Sequence, residues 1–169
     1  AGIPLAHPII ELNGAMLTEL ETGKHLLVHA IPGELALALC EGICEAGAYP
    51  AVSTGDGGAE RLYFLPDPRM DRASFAENMR LVSGKSIEEV ADFRAACRQQ
   101  VVSINCFDGV GKLASLRELA ARLGPGALET LSYTPPVGVS VGWLSFYDRL
   151  ATKANGIRNW QDHAGLTGA

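Results

Sequence analysis

The chain has 169 residues, of which 47% are hydrophobic and 20% charged, and its formal net charge is -5. A chain of this length fits one domain that buries roughly two-thirds of its unfolded surface without disulfide or metal staples. The acidic balance argues against a general nucleic-acid or anionic-membrane surface. No run approaches the ~18 consecutive apolar residues that a membrane span requires.

Pro4 and Pro8 keep the start extended, and Ile9 to Leu12 reads as a short strand. His25 to Ile31 is a compact apolar run stopped by Pro32-Gly33, which predicts a buried strand. A helix follows from about Glu34 to Ala46, closed by Gly47. Its charged positions, Glu34, Glu41 and Glu45, share one narrow stripe. A helix so apolar elsewhere is deeply packed or shared with a second copy, so a homo-oligomer is an expected partner state.

Tyr49 to Ser53 predicts a second strand, leading into the loop Thr54 to Gly58. A third spans Arg61 to Leu65 and ends at Pro66-Asp67-Pro68. Two helical patterns come next, Arg72 to Val82 and Ser86 to about Gln100, the second opened by Ser86 and Glu89 at capping-box spacing. Val101 to Asn105 predicts a fourth strand, and Leu113 to Leu123 a helix stopped by Gly124-Pro125. Val137 to Trp143 is either a strand or a Gly-broken lead into a helix from Leu144 to Lys153, and residues 153–169 form a loose or docked tail. Alternating strands and helices predict an α/β fold, a single domain over residues 1–169. Its central sheet is expected to be mainly parallel, four- to five-stranded, with helices on both faces.

Cys40, Cys44, Cys97 and Cys106 read as buried free thiols rather than a disulfide framework. Cys40 and Cys44, with His25 or His29, have the residue types of a metal site, but their placement on a buried helix favours packing. No metal and no cofactor are expected. The first residues lack a basic segment followed by an apolar core, so the cytoplasm is the expected compartment. Arg94 and Arg98 lie on a stripe beside the apolar one of Ile87, Val90, Phe93 and Cys97, and Trp160, Asp162 and His163 cluster in the tail.

The stretch that points to chemistry is Cys106-Phe-Asp-Gly-Val-Gly-Lys112, between a strand and a helix. Gly109 and Gly111 permit the backbone to curl into an anion nest, and the helix N-terminus adds its positive dipole end. A thiol at the base of such a nest is easier to deprotonate. Lys112 in the first helical turn opposes the dipole preference unless an anion binds there. A Walker A loop is excluded, since Cys106 and Leu113 stand where Gly and Ser or Thr belong.

The loop resembles the phosphate-binding loop of cysteine-dependent phosphatases, the tyrosine and dual-specificity group, whose pattern is Cys, five residues, then Arg. The order of elements from about residue 24 to 124 is similar too. The resemblance implies that Cys106 is the nucleophile, that the loop residues Phe107, Asp108, Gly109, Val110 and Gly111 hold the phosphate, and that Lys112 takes the Arg position. Asp67 or Asp71 becomes the general acid. Asn105 and Leu113 stand where the family has His and Ser or Thr. The implied partner is a phosphorylated small molecule or protein, with no nucleic acid and no membrane. The alternative is a non-catalytic, anion-binding regulatory or oligomeric module.

Overall fold

The computed structural model describes residues 7–56, 59–66, 86–133 and 141–166. Three short strands, β1 (Ile9–Glu11), β2 (Met16–Thr18) and β3 (His25–Val28), form an antiparallel sheet in that order. The β1–β2 link is a tight turn in which Leu12, Asn13 and Gly14 all have positive φ, at 47°, 60° and 95°. Gly14 is required there, because a Cβ would lie 2.2 Å from the Thr152 carbonyl oxygen.

The second sheet carries the bulk of the chain. Helix α1 (Gly33–Glu45) leads into β4 (Pro50–Asp56) and β5 (Ala59–Phe64), which pair antiparallel. Strand β6 (Ser86–Glu89) then pairs parallel with β5, and a 3-10 turn (Ala96–Arg98) precedes β7 (Val101–Gly109). Helix α2 (Val110–Leu123), β8 (Leu128–Tyr133), β9 (Val141–Asp148) and α3 (Lys153–His163) complete the order. The six strands run β6-β5-β4-β7-β9-β8 across the sheet.

The α/β class holds, and the details of the sheet differ from expectation. It has six strands rather than four or five, and among the described pairings only β5–β6 is parallel. Short connections such as β4 to β5 turn the chain back on itself, and such links permit only antiparallel pairing. Helices α1 and α2 share one face, while α3 packs on the small sheet at the other. Ala36, Leu39, Cys40 and Ile43 of α1 recur at helical spacing, and with Leu113, Leu116 and Ala120 of α2 they pack on Val52, Ile104, Cys106, Leu144 and Phe146. Fully burying a side chain such as Phe146 contributes roughly 1.5–3 kcal/mol. The apolar character of α1 is thus met inside the chain, where Gly42 lets α2 approach: a Cβ there would lie 3.0 Å from Leu119 Cδ2.

The opposite face is covered at one end by the small sheet. Met16, Val102, Tyr147, Ala15 and Ala151 form a second core, with Leu12 and Val28 against it. The expected helix from Ser86 to Gln100 is instead β6 and the 3-10 turn, because the Ser86–Glu89 segment pairs with Arg61–Phe64 and the capping spacing is overridden. Residues 144–148 are strand, not helix. The tail forms α3, capped by the Thr152 hydroxyl accepting from the Asn155 amide at 3.1 Å, and docked through Trp160 Nε1, which donates to the Pro8 carbonyl at 3.0 Å. The helix expected at Arg72 to Val82 lies outside the described residues.

Candidate functional site

The Cys106 loop does not form the cradle that its glycines permit. Phe107, Asp108 and Gly109 are strand residues, paired with Trp143, Gly142 and Val141 of β9. Extended backbone sends successive amides to opposite sides, whereas a nest needs them to converge. Neither Gly109 nor Gly111 has positive φ, and Val110 and Gly111 already belong to α2. The Cys106 side chain faces the helix-covered core with no exposure, and burial pushes its thiol up to about 12, with Cys44 and Asp108 adding to the effect. A thiol in that state is protonated at neutral pH and inaccessible to substrate.

Lys112 also finds its partners within the protein. Its Nζ donates to the Gly47 carbonyl at 2.9 Å, at the end of α1, and stands 3.4 Å from Asp108 Oδ2. Those two acceptors account for a cation in the first turn of α2 without a bound anion. Asp67 and Asp71 lie outside the described residues.

The face opposite α1 and α2 carries a different constellation. Since Ile104, Cys106, Leu144 and Phe146 point into the main core, alternation turns Ser103, Asn105 and Phe107 of β7 and Trp143, Ser145 and Tyr147 of β9 to the other side. Antiparallel register sets Asn105 opposite Ser145, and Phe107 opposite Trp143, which in turn faces Tyr133 of β8. Phe107 and Trp143 stack with ring centroids 5.4 Å apart, and Trp143 and Tyr133 are 40% and 60% exposed. An aromatic row is therefore open at this end of the face.

Beside that row sits a buried polar network. The Ser145 hydroxyl donates to Asn105 Oδ1 at 2.6 Å, the Trp143 indole N–H reaches the same oxygen at 3.4 Å, and Asn105 Nδ2 donates to the Ser103 hydroxyl at 3.1 Å. Tyr147 interacts with Ser145 and is raised above the usual tyrosine value, chiefly by burial. The Ser145 hydroxyl gives its proton to an amide oxygen, which is no general base, so the geometry makes it a binding group rather than an activated nucleophile. Among the described residues, no three His, Cys, Asp or Glu side chains converge as a metal site would require.

Beyond the Tyr147 end of β9 comes the N-terminus of α3, where Asn13 Nδ2 donates to the Ala151 carbonyl at 2.9 Å. Lys153 is exposed in the first turn of that helix, against the dipole preference. Sequence reading passed over both loci. Asn105 and Ser145 are 40 residues apart and only strand pairing brings them together. One signal for Lys153 was visible, a cation directly after a Thr, a residue type favoured at helix N-caps.

No protein-family model matches this sequence, and no curated protein does. Solved structures do match in fold. A haloacid dehalogenase-like hydrolase from Bacteroides thetaiotaomicron superposes with a TM-score of 0.71 at 17% identity, covering 95% of this chain and 55% of that one. The subclass IIB sugar phosphatase BT4131 gives a TM-score of 0.65 at 16% identity, covering 96% and 55%. A haloacid dehalogenase-like hydrolase from B. subtilis gives 0.68 at 15% identity, covering 94% and 59%. This chain thus spans little more than half the length of the structures it matches. The resemblance to cysteine-dependent phosphatases is overturned by these neighbours and by the burial of Cys106. What the chain shares is the fold of haloacid dehalogenase-like hydrolases.

Proposed function

We propose that this chain is the substrate-recognition part of a phosphatase-like hydrolase acting on a phosphorylated small molecule, and that the open sheet face receives the organic moiety. The observation that carries the reading is the junction of an aromatic row, half-buried Phe107 with exposed Trp143 and Tyr133, with the Asn105 amide and its buried partners Ser103 and Ser145. Ligand sites pair apolar and aromatic walls with a few fixed polar groups. The apolar C–H face of a sugar ring suits an aromatic platform, and its hydroxyls suit an amide and neighbouring serines.

Two facts support a phosphorylated ligand. One of the matched folds is a sugar phosphatase. Lys153, exposed in the first turn of a helix, supplies positive charge at the dipole end that favours an anion. Binding without turnover is the second reading. It has one specific observation in its favour, the amide-bound Ser145.

The test is a panel of sugar phosphates, assayed for binding and for phosphate release. Binding that Trp143→Ala weakens while the fold is kept supports the reading. Phosphate release lost with Cys106→Ala, but kept with Trp143→Ala, would sink it. The cytoplasmic address remains part of the proposal; among the described residues no helix is long and apolar enough to cross a membrane.

A further inference from the structure

Helix α1 buries its apolar side within the chain, so a second copy would have to meet another surface. The main sheet ends in two edge strands, β6 and β8, each hydrogen-bonded on one side only among the described residues. They differ in charge. Strand β6 carries Glu88 and Glu89, with Glu88 3.6 Å from Arg61, and charges on an edge discourage pairing with another chain. Strand β8 has a single charge, Glu129, and leaves Leu131 and Tyr133 50% and 60% exposed.

The ladder decides which backbone groups of β8 face outward. Arg149 N donates to the Ala127 carbonyl at 3.0 Å, extending the register that sets Leu128 opposite Asp148. Bonded and non-bonded pairs alternate along an antiparallel ladder, so Glu129, Leu131 and Tyr133 exchange bonds with β9. The N–H and C=O groups of Leu128, Thr130 and Ser132 therefore turn to the free edge. Side chains alternate between the two faces. Ser132 Oγ accepts from Arg117 Nη2 of α2 at 2.7 Å, which sets Leu128, Thr130 and Ser132 on the helix side and Glu129, Leu131 and Tyr133 on the open face.

We propose that β8 pairs with β8 of a second copy of this chain, antiparallel and centred on Leu131, so that one sheet runs through both. A two-fold axis normal to the sheet generates this pairing and keeps both open faces on the same side. Outward groups must meet outward groups, which the Leu131 centre satisfies by setting Thr130 opposite Ser132 of the second copy in a hydrogen-bonded pair. On the open face Leu131 meets its own copy in a non-bonded pair, with Cα atoms about 4.5 Å apart and side chains in contact. Glu129 meets Tyr133 of the second copy, a phenol able to donate to the carboxylate, and the two Glu129 charges stay apart. A centre at Thr130 would set Glu129 against Leu131, and one at Ser132 would shorten the ladder. A contact this small buries less than the roughly 1,200 Å² of a standard stable interface, so the dimer forms reversibly with concentration. The pairing is independent of what the open face binds.

The experiment is sedimentation velocity of the full chain from micromolar to near-millimolar concentration, joined to cysteine reporters. The expected result is a monomer–dimer equilibrium whose dissociation constant rises about tenfold or more in Leu131→Lys, where like charges meet on the axis. Ile157→Lys, at a position 52% exposed on α3, is the control and should leave the equilibrium unchanged. Under mild oxidation Leu131→Cys should give a disulfide-linked dimer. Glu129→Cys and Tyr133→Cys should each stay unlinked alone and link when mixed, with the wild type as the blank for its four free thiols. A chain monomeric at every concentration, a dimer indifferent to Leu131→Lys, or Glu129→Cys linking to itself overturns the proposal. Should Leu131→Lys fail to fold, the reporters decide: without linkage both at Leu131→Cys and in the mixed pair, the register is refuted.

Discussion

The Ser145 hydroxyl donates to Asn105 Oδ1 at 2.6 Å across the β7–β9 ladder, on the sheet face opposite α1 and α2. Ser145 is buried to 1% exposure, so the bond closes a donor that water does not reach. Asn105→Ala removes its acceptor and leaves that donor unsatisfied, at a cost of about 1–3 kcal/mol. Thermal unfolding of the variant should show a lowered Tm, and sugar phosphate binding should weaken about tenfold or more. Unchanged affinity at a lowered Tm would make the network purely structural.

Trp143 separates binding from stability in the other direction. It is 40% exposed, and its stack on Phe107 contributes only about 0.5–1.5 kcal/mol. Trp143→Ala should therefore cost little in denaturant midpoint yet lose much of the ligand affinity, while Trp143→Phe should keep most of both. Equal losses in stability and affinity would count against a surface role.

Cys106 allows a test of the discarded nucleophile. Cys106→Ala should leave phosphate release unchanged, and iodoacetamide near neutral pH should not label Cys106 in the folded chain. The pH dependence has a definite sign. Its folded value is raised from 9.0 to about 12, so the folded state holds the proton that the unfolded state releases. Stability from this group is fully present below about pH 9 and is lost as pH rises towards 12. Urea midpoints should fall over that window, less steeply in Cys106→Ala than in the wild type.

Gly14 is the backbone position on which the α3 junction depends. At φ 95°, with the Thr152 carbonyl oxygen 2.2 Å from where a Cβ would sit, Gly14→Ala should cost several kcal/mol, roughly 2–4, or abolish folding. Gly126→Ala, at φ 69° with nothing within 4 Å, is the control and should cost about 1 kcal/mol. Equal Tm shifts in the two variants would contradict the close approach.

Lys153→Ala should weaken phosphate or sugar phosphate binding, with little change in Tm, because the side chain is exposed. Losing a cation from a helix N-terminus relieves an unfavourable dipole contact worth about 0.3–1 kcal/mol. A variant slightly more stable but poorer at binding is the expected signature. Unchanged affinity would remove Lys153 from the site.

Much of the secondary structure was legible because it is local. The run Val101 to Asn105 followed by Leu113 to Leu123 placed β7 and α2 within a few residues of their observed bounds, and Glu34 to Ala46 placed α1. Strand direction was not legible, because an apolar run looks alike in parallel and antiparallel sheets. Ser86 to Glu89 misled through its capping spacing, since pairing with β5 decides that segment. The Cys106 segment does join a strand to a helix, but not through the expected loop. Its glycines permitted a nest, but the continued pairing of Phe107 to Gly109 with β9 keeps the backbone extended. The face bearing Asn105 and Ser145 was beyond reach, because only the register of β7 on β9 creates it.

The central claim is that the open sheet face binds the ligand. Its most direct measurement is a titration of the isotope-labelled chain with a sugar phosphate, following backbone and indole resonances. The account predicts saturable shifts at Asn105, Phe107, Trp143 and Ser145, abolished by Trp143→Ala while the remaining spectrum stays folded. Shifts confined to the surface around Arg94 and Arg98, with the β7–β9 face unmoved, would contradict it.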